Sequence, residues 1–289
     1  MLAATRKQSA PFCGSLFHKS RLTFASDFDT IPVNVGHPSE VVRQPIQRGP
    51  QMKDYWVLLG SFGSGKSELA LNMAIRAAKN GPCTLVDLDV VNPYFRSSER
   101  GDVLSRAGVE LIMPPFALEK IEILSLSARV YSAFTPGEGS VFFDIGGDHI
   151  GSVALGQYKP HFDKVPEENL HVLFIVNPMR PTAADLESAY TTLEKIRFVS
   201  RLPVTGIVNN GNLAGETDYT HLYEGYKLVK ALSERTGIPV WGTAGTQNVL
   251  DAFDAYAREN GLSERYIGVR QPIEVLMHRS WDKFLTEGL

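Results

Sequence analysis

The sequence predicts an α/β protein in which a doubly wound, mainly parallel sheet of about seven strands carries helices on both faces. Short apolar, β-favouring segments alternate along the chain with segments of helical apolar periodicity. A glycine-rich turn joins the first of these strands to the first helix. In addition, 43% of the 289 residues are hydrophobic, which is enough for the large core that such a sheet requires.

The predicted strands are short apolar runs that end at polar or glycine-containing turns. In chain order they cover residues 55–59, 84–87, 109–113, 141–144, 172–176, 204–209 and 238–241. Between them, apolar residues recur every three or four positions, as the buried side of a helix requires. The predicted helices cover residues 67–80, 98–107, 118–132, 183–199, 221–235 and 248–260. One domain is therefore expected over residues 52–289.

Residues 1–51 differ in composition from the rest of the chain. They show no apolar period and contain five prolines. Their first 26 residues carry four basic side chains and no acidic one, which resembles a transit peptide, but an apolar stretch long enough for a secretory signal is absent. We expect a disordered extension or a misassigned start, with translation beginning at Met52. An accessory arm and a targeting segment stay open as alternatives.

Composition and charge exclude several classes of protein. The net charge of −3 argues against a general binder of nucleic acids or anionic membranes, and no apolar run is long enough to span a bilayer. The two cysteines, Cys13 and Cys83, have no metal-ligand spacing, which excludes disulfide and cysteine–zinc frameworks. We therefore expect a cytoplasmic protein without nucleic acid or membrane as a partner.

A phosphate-binding loop is predicted between the first strand and the first helix. Residues 60–67 read GSFGSGKS, which fits the pattern G-x-x-x-x-G-K-[ST] at every fixed position. Glycines in such a loop let backbone N–H groups turn towards phosphates, the lysine reaches the β and γ oxygens, and the final hydroxyl is placed to ligate Mg²⁺. The residues predicted to contact nucleotide here are Gly60, Ser61, Phe62, Gly63, Ser64, Gly65, Lys66, Ser67 and the following Glu68.

Acidic residues follow two predicted strands at the edge of the sheet where ligands bind in open α/β folds. Asp87 and Asp89 end the second strand, and their burial would be costly without a cation or water network. Asp144 ends the fourth strand and is followed by Gly146 and Gly147, whose backbone could approach a γ-phosphate. We expect Asp87 and Asp144 near Mg²⁺ together with the Ser67 hydroxyl, and Asp89 against the attacking water.

This succession of motifs resembles the MinD/ParA/CobQ/CobB and nitrogenase-iron-protein group, which belongs to the SIMIBI class of P-loop proteins. The resemblance extends over most of residues 52–260. It implies that Lys66 acts on the phosphates in binding and catalysis, that Asp89 orients the hydrolytic water, and that Asp144 is the Walker B acid. Members of the ParA and MinD type carry a signature lysine where this chain has Ser61, so an ATP-induced dimer is not expected.

The same resemblance places the nucleotide base beside the strand that ends in Asn209 and Asn210. GTP-specific relatives, including the nickel-insertion GTPases, use Asn-Lys-x-Asp, whose aspartate accepts from guanine. This chain has Asn212 in place of that aspartate, and an amide can pair with adenine. ATP is therefore expected rather than GTP. Cys83 and His149, the residue types that bind metal in the nickel-insertion GTPases, are interpreted as structural here.

The function expected from these observations is that of a Mg²⁺-dependent ATP-binding protein, a slow ATPase that acts as a switch for an unidentified partner protein. An ATP-dependent small-molecule ligase or amidase of the dethiobiotin synthetase or CobB/CobQ type is the first alternative, and a GTP-dependent metal-insertion protein is the second. Residues 92–96 (NPYFR) are expected in a switch loop or over the nucleotide. A C-terminal helix is expected to pack against the domain or a partner through the apolar stripe formed by Ile273, Leu276, Met277, Trp281, Phe284 and Leu285.

Overall fold

The predicted fold class is confirmed by a sheet of eight parallel strands. The computed structural model of the chain describes residues 52–88, 98–112, 128–147 and 149–277. Within these ranges the strand order is β3-β2-β4-β1-β5-β6-β7-β8, and every neighbouring pair is parallel. The strands are β1 (Asp54–Leu59), β2 (Cys83–Leu88), β3 (Val109–Ile112), β4 (Ser140–Ile145), β5 (Leu170–Val176), β6 (Gly206–Asn209), β7 (Val240–Gly245) and β8 (Val269–Pro272).

Helices cover both faces of this sheet, because both faces are apolar. In β1, Val57 and Leu59 pack in a cluster with residues of α4 to α7, whereas Leu58 packs in a second cluster with α1 and α2. Helix α8 packs against α7 through a third, smaller cluster. The helices are α1 (Lys66–Ala77), α2 (Ser98–Arg106), α3 (Ala128–Ser132), α4 (His149–Gly156), α5 (Lys159–Phe162), α6 (Leu186–Ser200), α7 (Tyr219–Thr236) and α8 (Gln247–Glu259).

The order of the strands places the loop after β1 at the point where the chain reverses its direction across the sheet. From β1 the chain passes to β2 and β3 on one side, returns to β4 beside β1, and then continues through β5 to β8 on the other side. In open α/β sheets, ligands bind at the carboxyl ends of the strands at this kind of reversal. The glycine-rich loop therefore lies at the position where a ligand site is expected.

The helices differ in which groups accept hydrogen bonds from the backbone N–H groups of their first turns. Asp185 precedes α6 and accepts a hydrogen bond from the backbone N–H of Ser188 at 2.8 Å, while Asp218 forms a capping box at the start of α7. The hydrogen bond from the Ser188 N–H lowers the pKa of Asp185, and the hydrogen bond from the Thr220 hydroxyl is the main cause of the lowered pKa of Asp218. Helix α1 instead follows Gly65, in a left-handed conformation, and has no side-chain cap. The first turn of a helix has backbone N–H groups that no carbonyl of the same helix accepts, so an anion can bind at the start of α1.

The C-terminal part of the described chain departs from the sequence prediction. Residues 269–272 form β8 beside β7, and residues 273–277 continue without the predicted helix. Ile273 is nevertheless buried in the cluster that contains α1, and Leu276 and Met277 pack against that cluster, as the packing interpretation of the stripe requires. No helix among the described residues is long and apolar enough to cross a membrane.

Several predictions fall outside the described residues. They concern the extension 1–51, residues 118–127 of one predicted helix, the NPYFR segment, Asp89, and Trp281, Phe284 and Leu285 of the C-terminal stripe. The side chain of His149 is likewise outside the described part of the structure.

Candidate nucleotide-binding site

The glycine-rich loop forms a turn whose outward-facing carbonyl groups are held by hydrogen bonds. The Gly63 carbonyl accepts from Nε of Arg180 at 3.0 Å, and the Ser64 carbonyl accepts from Nδ2 of Asn210 at 2.7 Å. The Gly65 carbonyl accepts from the backbone N–H of Leu69 at 3.0 Å, which starts α1. In a trans peptide the N–H group points opposite to the carbonyl. The N–H groups that follow these carbonyls therefore point to the other side of the loop, where the Ser64 N–H donates to the Ser61 carbonyl at 3.2 Å. This is the side on which a loop of this kind binds an anion.

Gly65 is needed where the loop meets α1. Its φ is 89°, a conformation that side chains rarely adopt, and a Cβ atom at this position would collide with Nδ2 of Asn210. The close approach of Asn210 to the loop therefore depends on glycine at this position. The sequence assigned Gly65 to phosphate contact, and the structure adds this packing requirement.

Lys66 is almost completely buried at the start of α1, with an exposed fraction of 6%. Its ammonium group donates to the Ser61 carbonyl at 3.0 Å. Gly147, which follows β4, also lies against the loop, because a Cβ atom there would be 2.8 Å from Nζ of Lys66 and 2.6 Å from the backbone of Phe62. The structure thus brings Gly147 next to the phosphate loop, where the sequence predicted it. Phe62 itself is 66% exposed.

Asp87 and Asp144 are direct neighbours on β2 and β4. Leu85 lies two positions before Asp87, and Phe142 lies two positions before Asp144. Both apolar residues pack in the cluster that contains α1. Because side chains alternate along a strand, both carboxyl groups lie on the face that α1 covers. They are 7% and 4% exposed. Two adjacent buried carboxylates are costly unless hydrogen bonds or a cation stabilise them, so the pair is suited to a positively charged ligand.

The oxygen donors at this edge fit Mg²⁺. The ion is commonly held by one or two carboxylates, a hydroxyl group and substrate phosphates rather than by a complete protein cage. Asp87, Asp144 and the half-buried Ser67 at the start of α1 offer this set. No group of three or more His, Cys, Asp or Glu side chains that could hold a metal on its own occurs in the described ranges.

The two asparagines at the end of β6 have different surroundings. Asn209 is fully buried; its Nδ2 donates to the Leu222 carbonyl at 2.9 Å, and its Oδ1 accepts from the Gly211 N–H at 3.1 Å, so it joins β6 to α7. Asn210 reaches the loop instead. Its Oδ1 is buried and has no hydrogen-bond partner among the described residues. Of the two, Asn210 is therefore the residue with a free acceptor beside the candidate site.

Asn212 supports its own turn rather than facing the site. Its Oδ1 accepts from the N–H of Ala214 at 2.6 Å, and its backbone carbonyl accepts from Nδ2 of Asn177 at 3.0 Å. Ala214 has a φ of 55°, so this turn contains a left-handed residue that the Asn212 side chain helps to hold. These contacts account for an asparagine at position 212 without any contact to a base.

Glu68, predicted to contact nucleotide, holds the C-terminal segment. Its carboxylate accepts from the N–H groups of Leu276 and Met277 at 2.6 and 3.2 Å. One turn further along α1, Asn72 exchanges two hydrogen bonds with the backbone of Glu274, at 2.9 and 2.8 Å. The first turn of α1 is therefore connected both to the phosphate loop and to residues 273–277.

Arg180 and Asn177 are site residues that the sequence reasoning missed. Both follow β5, whose carboxyl end lies beside that of β1. A search for polar side chains after every strand neighbouring the glycine-rich loop would have found them. Neither residue belongs to a recognised sequence motif.

Comparisons with known proteins give no family assignment. No family model matches the chain, and no curated protein matches it. Among solved structures, similarity was found to the cell division protein FtsY of Thermotoga maritima (TM-score 0.46, 15% identity, 70% of this chain and 65% of that one). Chloroplast FtsY of Physcomitrella patens gives a TM-score of 0.44 at 20% identity, covering 69% and 61% of the two chains.

A third similar structure is the signal recognition particle receptor FtsY of Elizabethkingia anophelis in complex with GDP. Its TM-score is 0.44 at 16% identity, with 68% of this chain and 59% of that one covered. This chain thus covers less than two thirds of the length of all three structures. Because the TM-scores lie below 0.5, we draw no conclusion about nucleotide or partner from them. The resemblance to the MinD/ParA group is not confirmed by these comparisons.

Proposed function

We propose that this chain is a Mg²⁺-dependent ATP-binding protein of the cytoplasm, a slow ATPase that acts as a nucleotide-controlled switch for a partner protein. The observation that carries the proposal is the loop between β1 and α1, in which Arg180 and Asn210 hold consecutive carbonyls outward. Such an arrangement presents backbone N–H groups to phosphates. The adjacent buried pair Asp87 and Asp144 supplies the negative charge that a bound divalent cation requires.

In this proposal some residues of the site bind the phosphates of the nucleotide, and others bind the metal ion that balances the phosphate charge. Lys66 exchanges its contact with the Ser61 carbonyl for the β- and γ-phosphate oxygens, and the N–H groups at the start of α1 bind the same phosphates. Ser67 and Asp144 hold Mg²⁺, directly or through water, with Asp87 beside them. When bound, Mg²⁺ neutralises the charge on the phosphate oxygens. Asp89 is proposed to orient the attacking water.

The preference for adenine is supported by the orientation of the Asn210 amide. Its Nδ2 donates to the Ser64 carbonyl, so its Oδ1 is left to accept from a ligand. Adenine offers an acceptor at N7 next to a donor at its amino group, whereas guanine offers two acceptors at N7 and O6. An amide whose oxygen needs a donor and whose nitrogen retains one N–H therefore matches this edge of adenine and not that of guanine.

The switch role is supported by the contact between Gly147 and the loop. Because Gly147 lies against Phe62 and beside Lys66, a γ-phosphate bound by Lys66 would be next to the backbone that follows β4. Hydrolysis of that phosphate would change the surroundings of this segment. The exposed Phe62 side chain lies at the same place and could contact a partner.

Isothermal titration of the full 289-residue chain with ATP and GTP, each with Mg²⁺, tests the proposal. We expect binding of ATP that is at least tenfold tighter than that of GTP, since one mismatched hydrogen-bonding edge costs roughly 1–3 kcal/mol. GTP binding of equal or higher affinity would reject the ATP assignment in favour of the metal-insertion alternative. Binding of neither nucleotide would reject the proposal as a whole. Rapid hydrolysis that requires an added small molecule would favour the ligase alternative.

A further inference from the structure

Arg180 is held rigidly where the chain leaves β5. Its backbone N–H donates to the Asn177 carbonyl at 3.1 Å, and Asn177 is itself buried and bonded to Asn212. Pro181 follows Arg180, and a residue that precedes proline is restricted to extended conformations. Arg180 accordingly has a φ of −116° and a ψ of 137°. The direction in which its side chain leaves the backbone is therefore fixed by its neighbours.

The side chain of Arg180 lies along the phosphate loop at Gly63. Its Nε donates to the Gly63 carbonyl at 3.0 Å, and a Cβ atom on Gly63 would lie 3.1 Å from that same nitrogen. Gly63 has a φ of 72°. Glycine also populates conformations of opposite φ. The turning of the Gly63–Ser64 peptide is therefore opposed mainly by its two hydrogen bonds, the one from Arg180 and the one from the Ser64 N–H to the Ser61 carbonyl at 3.2 Å. A turned peptide would direct its carbonyl oxygen, instead of an N–H group, towards bound phosphates.

We propose that Arg180 is a positioning residue of the phosphate site, because its hydrogen bond keeps the Gly63–Ser64 peptide in the orientation that an anionic ligand requires. This inference rests on the proposed function, in which the loop binds the phosphates of ATP. The role is carried by the hydrogen bond and not by the positive charge. The guanidinium is partly exposed, so solvent and salt screen its charge, whereas Lys66 is buried and already supplies a cation.

A matched pair of variants separates the two contributions of the arginine. In Arg180→Gln the amide nitrogen is attached to Cδ, as Nε is in arginine, so a donor of the same reach is retained without the charge. In Arg180→Met a methyl group occupies that position, so both donor and charge are lost. Arg197→Met serves as control, because Arg197 forms an exposed ion pair with Glu194 on α6 and does not contact the loop.

Two measurements test the proposal on the full chain. With ATP and Mg²⁺, we expect affinity to fall by roughly tenfold in Arg180→Met and to stay within about threefold of the original in Arg180→Gln and in the control. Without nucleotide, we expect the amides of residues 60–66 to exchange hydrogen faster in Arg180→Met than in Arg180→Gln. Exchange in the nucleotide-free protein does not depend on ATP being the ligand.

Two results would overturn the role of the Arg180 hydrogen bond. Equal losses of affinity in the Gln and Met variants would assign the effect to charge and overturn the proposal. Unchanged affinity and unchanged hydrogen exchange in Arg180→Met would show that the Gly63–Ser64 peptide keeps its orientation without the hydrogen bond from Arg180. This result would also overturn the proposal. If the original chain binds neither ATP nor GTP, the proposed function fails, and the exchange comparison alone then decides whether Arg180 holds the loop.

Discussion

Asp87 and Asp144 lie side by side on β2 and β4, with 7% and 4% of their surfaces exposed. Two carboxylates that lie side by side away from water repel each other, so each depends on hydrogen bonds or a cation for its stability. Under the proposed function, a divalent cation bound beside the pair would offset this repulsion. The pair is thus expected to serve ligand binding at some expense of stability.

The first prediction concerns Asp144→Asn. We expect the nucleotide-free variant to unfold at the same or a higher temperature, because the amide has the same shape and removes the repulsion between Asp144 and the neighbouring Asp87. Its affinity for ATP in the presence of Mg²⁺ should fall by roughly 10–100-fold, the range for the loss of a group that orients a metal. Calorimetric titration with Mg²⁺ and with EDTA measures the second effect, and Asp163→Asn, at an exposed partner of Lys159, is the control. A less stable variant with unchanged affinity would identify Asp144 as structural.

The second prediction separates nucleotide binding from turnover. Lys66→Ala should abolish binding, because the buried ammonium at the loop is lost. Asp89→Ala should bind ATP and hydrolyse it about 10²–10⁴ times more slowly, the range for a general base or a water-orienting group. Single-turnover hydrolysis with radiolabelled ATP measures the rate. Hydrolysis by Asp89→Ala at the original rate would show that this residue has no role in the chemical step.

The third prediction concerns the oligomeric state. Ser61 stands where a lysine would reach the phosphates of a second molecule, so a face-to-face dimer would bring two triphosphates together without that charge. We expect the Asp89→Ala chain to show the same molar mass in light scattering with and without ATP. A shift from monomer to dimer on addition of ATP would contradict this expectation. Arg96 would then be the first residue to replace as the source of the missing charge.

The fourth prediction concerns the attachment of residues 273–277 to α1. Asn72→Ala removes both hydrogen bonds to the backbone of Glu274 and leaves that N–H and carbonyl group without their partner. We expect the free energy of unfolding to fall by about 1–3 kcal/mol in urea denaturation. Limited proteolysis should cut this segment faster in the variant. Asn260→Ala, at an exposed helix end, provides the comparison, and equal losses in the two variants would show that the attachment contributes nothing.

The fifth prediction concerns acid stability. Hydrogen bonds from Arg270 lower the pKa of Glu264, so this pair contributes to stability above the unfolded-state pKa and loses the contribution as pH falls through the folded-state pKa. Glu264→Gln should therefore destabilise the protein near pH 7 by an amount on the order of 1 kcal/mol or less. The difference should shrink as pH falls below the ordinary pKa of a glutamate and should disappear below the lowered folded-state pKa. Thermal unfolding over this pH range measures it, with Glu259→Gln as control, and a difference that persists in acid would refute the assignment.

Much of the fold could be predicted because its strands are apolar and its turns contain glycine or polar residues. Strand β8 was missed because its sequence, Val-Arg-Gln-Pro, has only one strongly β-favouring residue and lies at an edge, where one neighbouring strand suffices. Helix α4 was missed because its sequence, HIGSVALG, contains two glycines and resembles a loop. In both cases packing against the rest of the domain stabilises an element that the local sequence does not favour.

The candidate site was predictable where a motif occupies consecutive residues and less so where distant segments meet. The glycine-rich loop and the neighbouring acids at 87 and 144 follow from local patterns. The hydrogen bond from Arg180 to Gly63 joins residues 117 positions apart, and nothing in either local sequence indicates it. The same holds for Glu68, whose contact with Leu276 depends on the path of the C-terminal segment.

The absence of a side-chain cap at the start of α1 also affects how this protein should be handled. Small oxyanions bind at such helix starts, so under the proposed function we expect phosphate or sulfate in a buffer to compete with ATP for the loop. Dissociation constants measured in phosphate will then increase in proportion to the phosphate concentration once that concentration exceeds its own dissociation constant. Affinities are comparable between preparations only in buffers whose anions are too large or too weakly basic to enter the loop, such as Tris chloride.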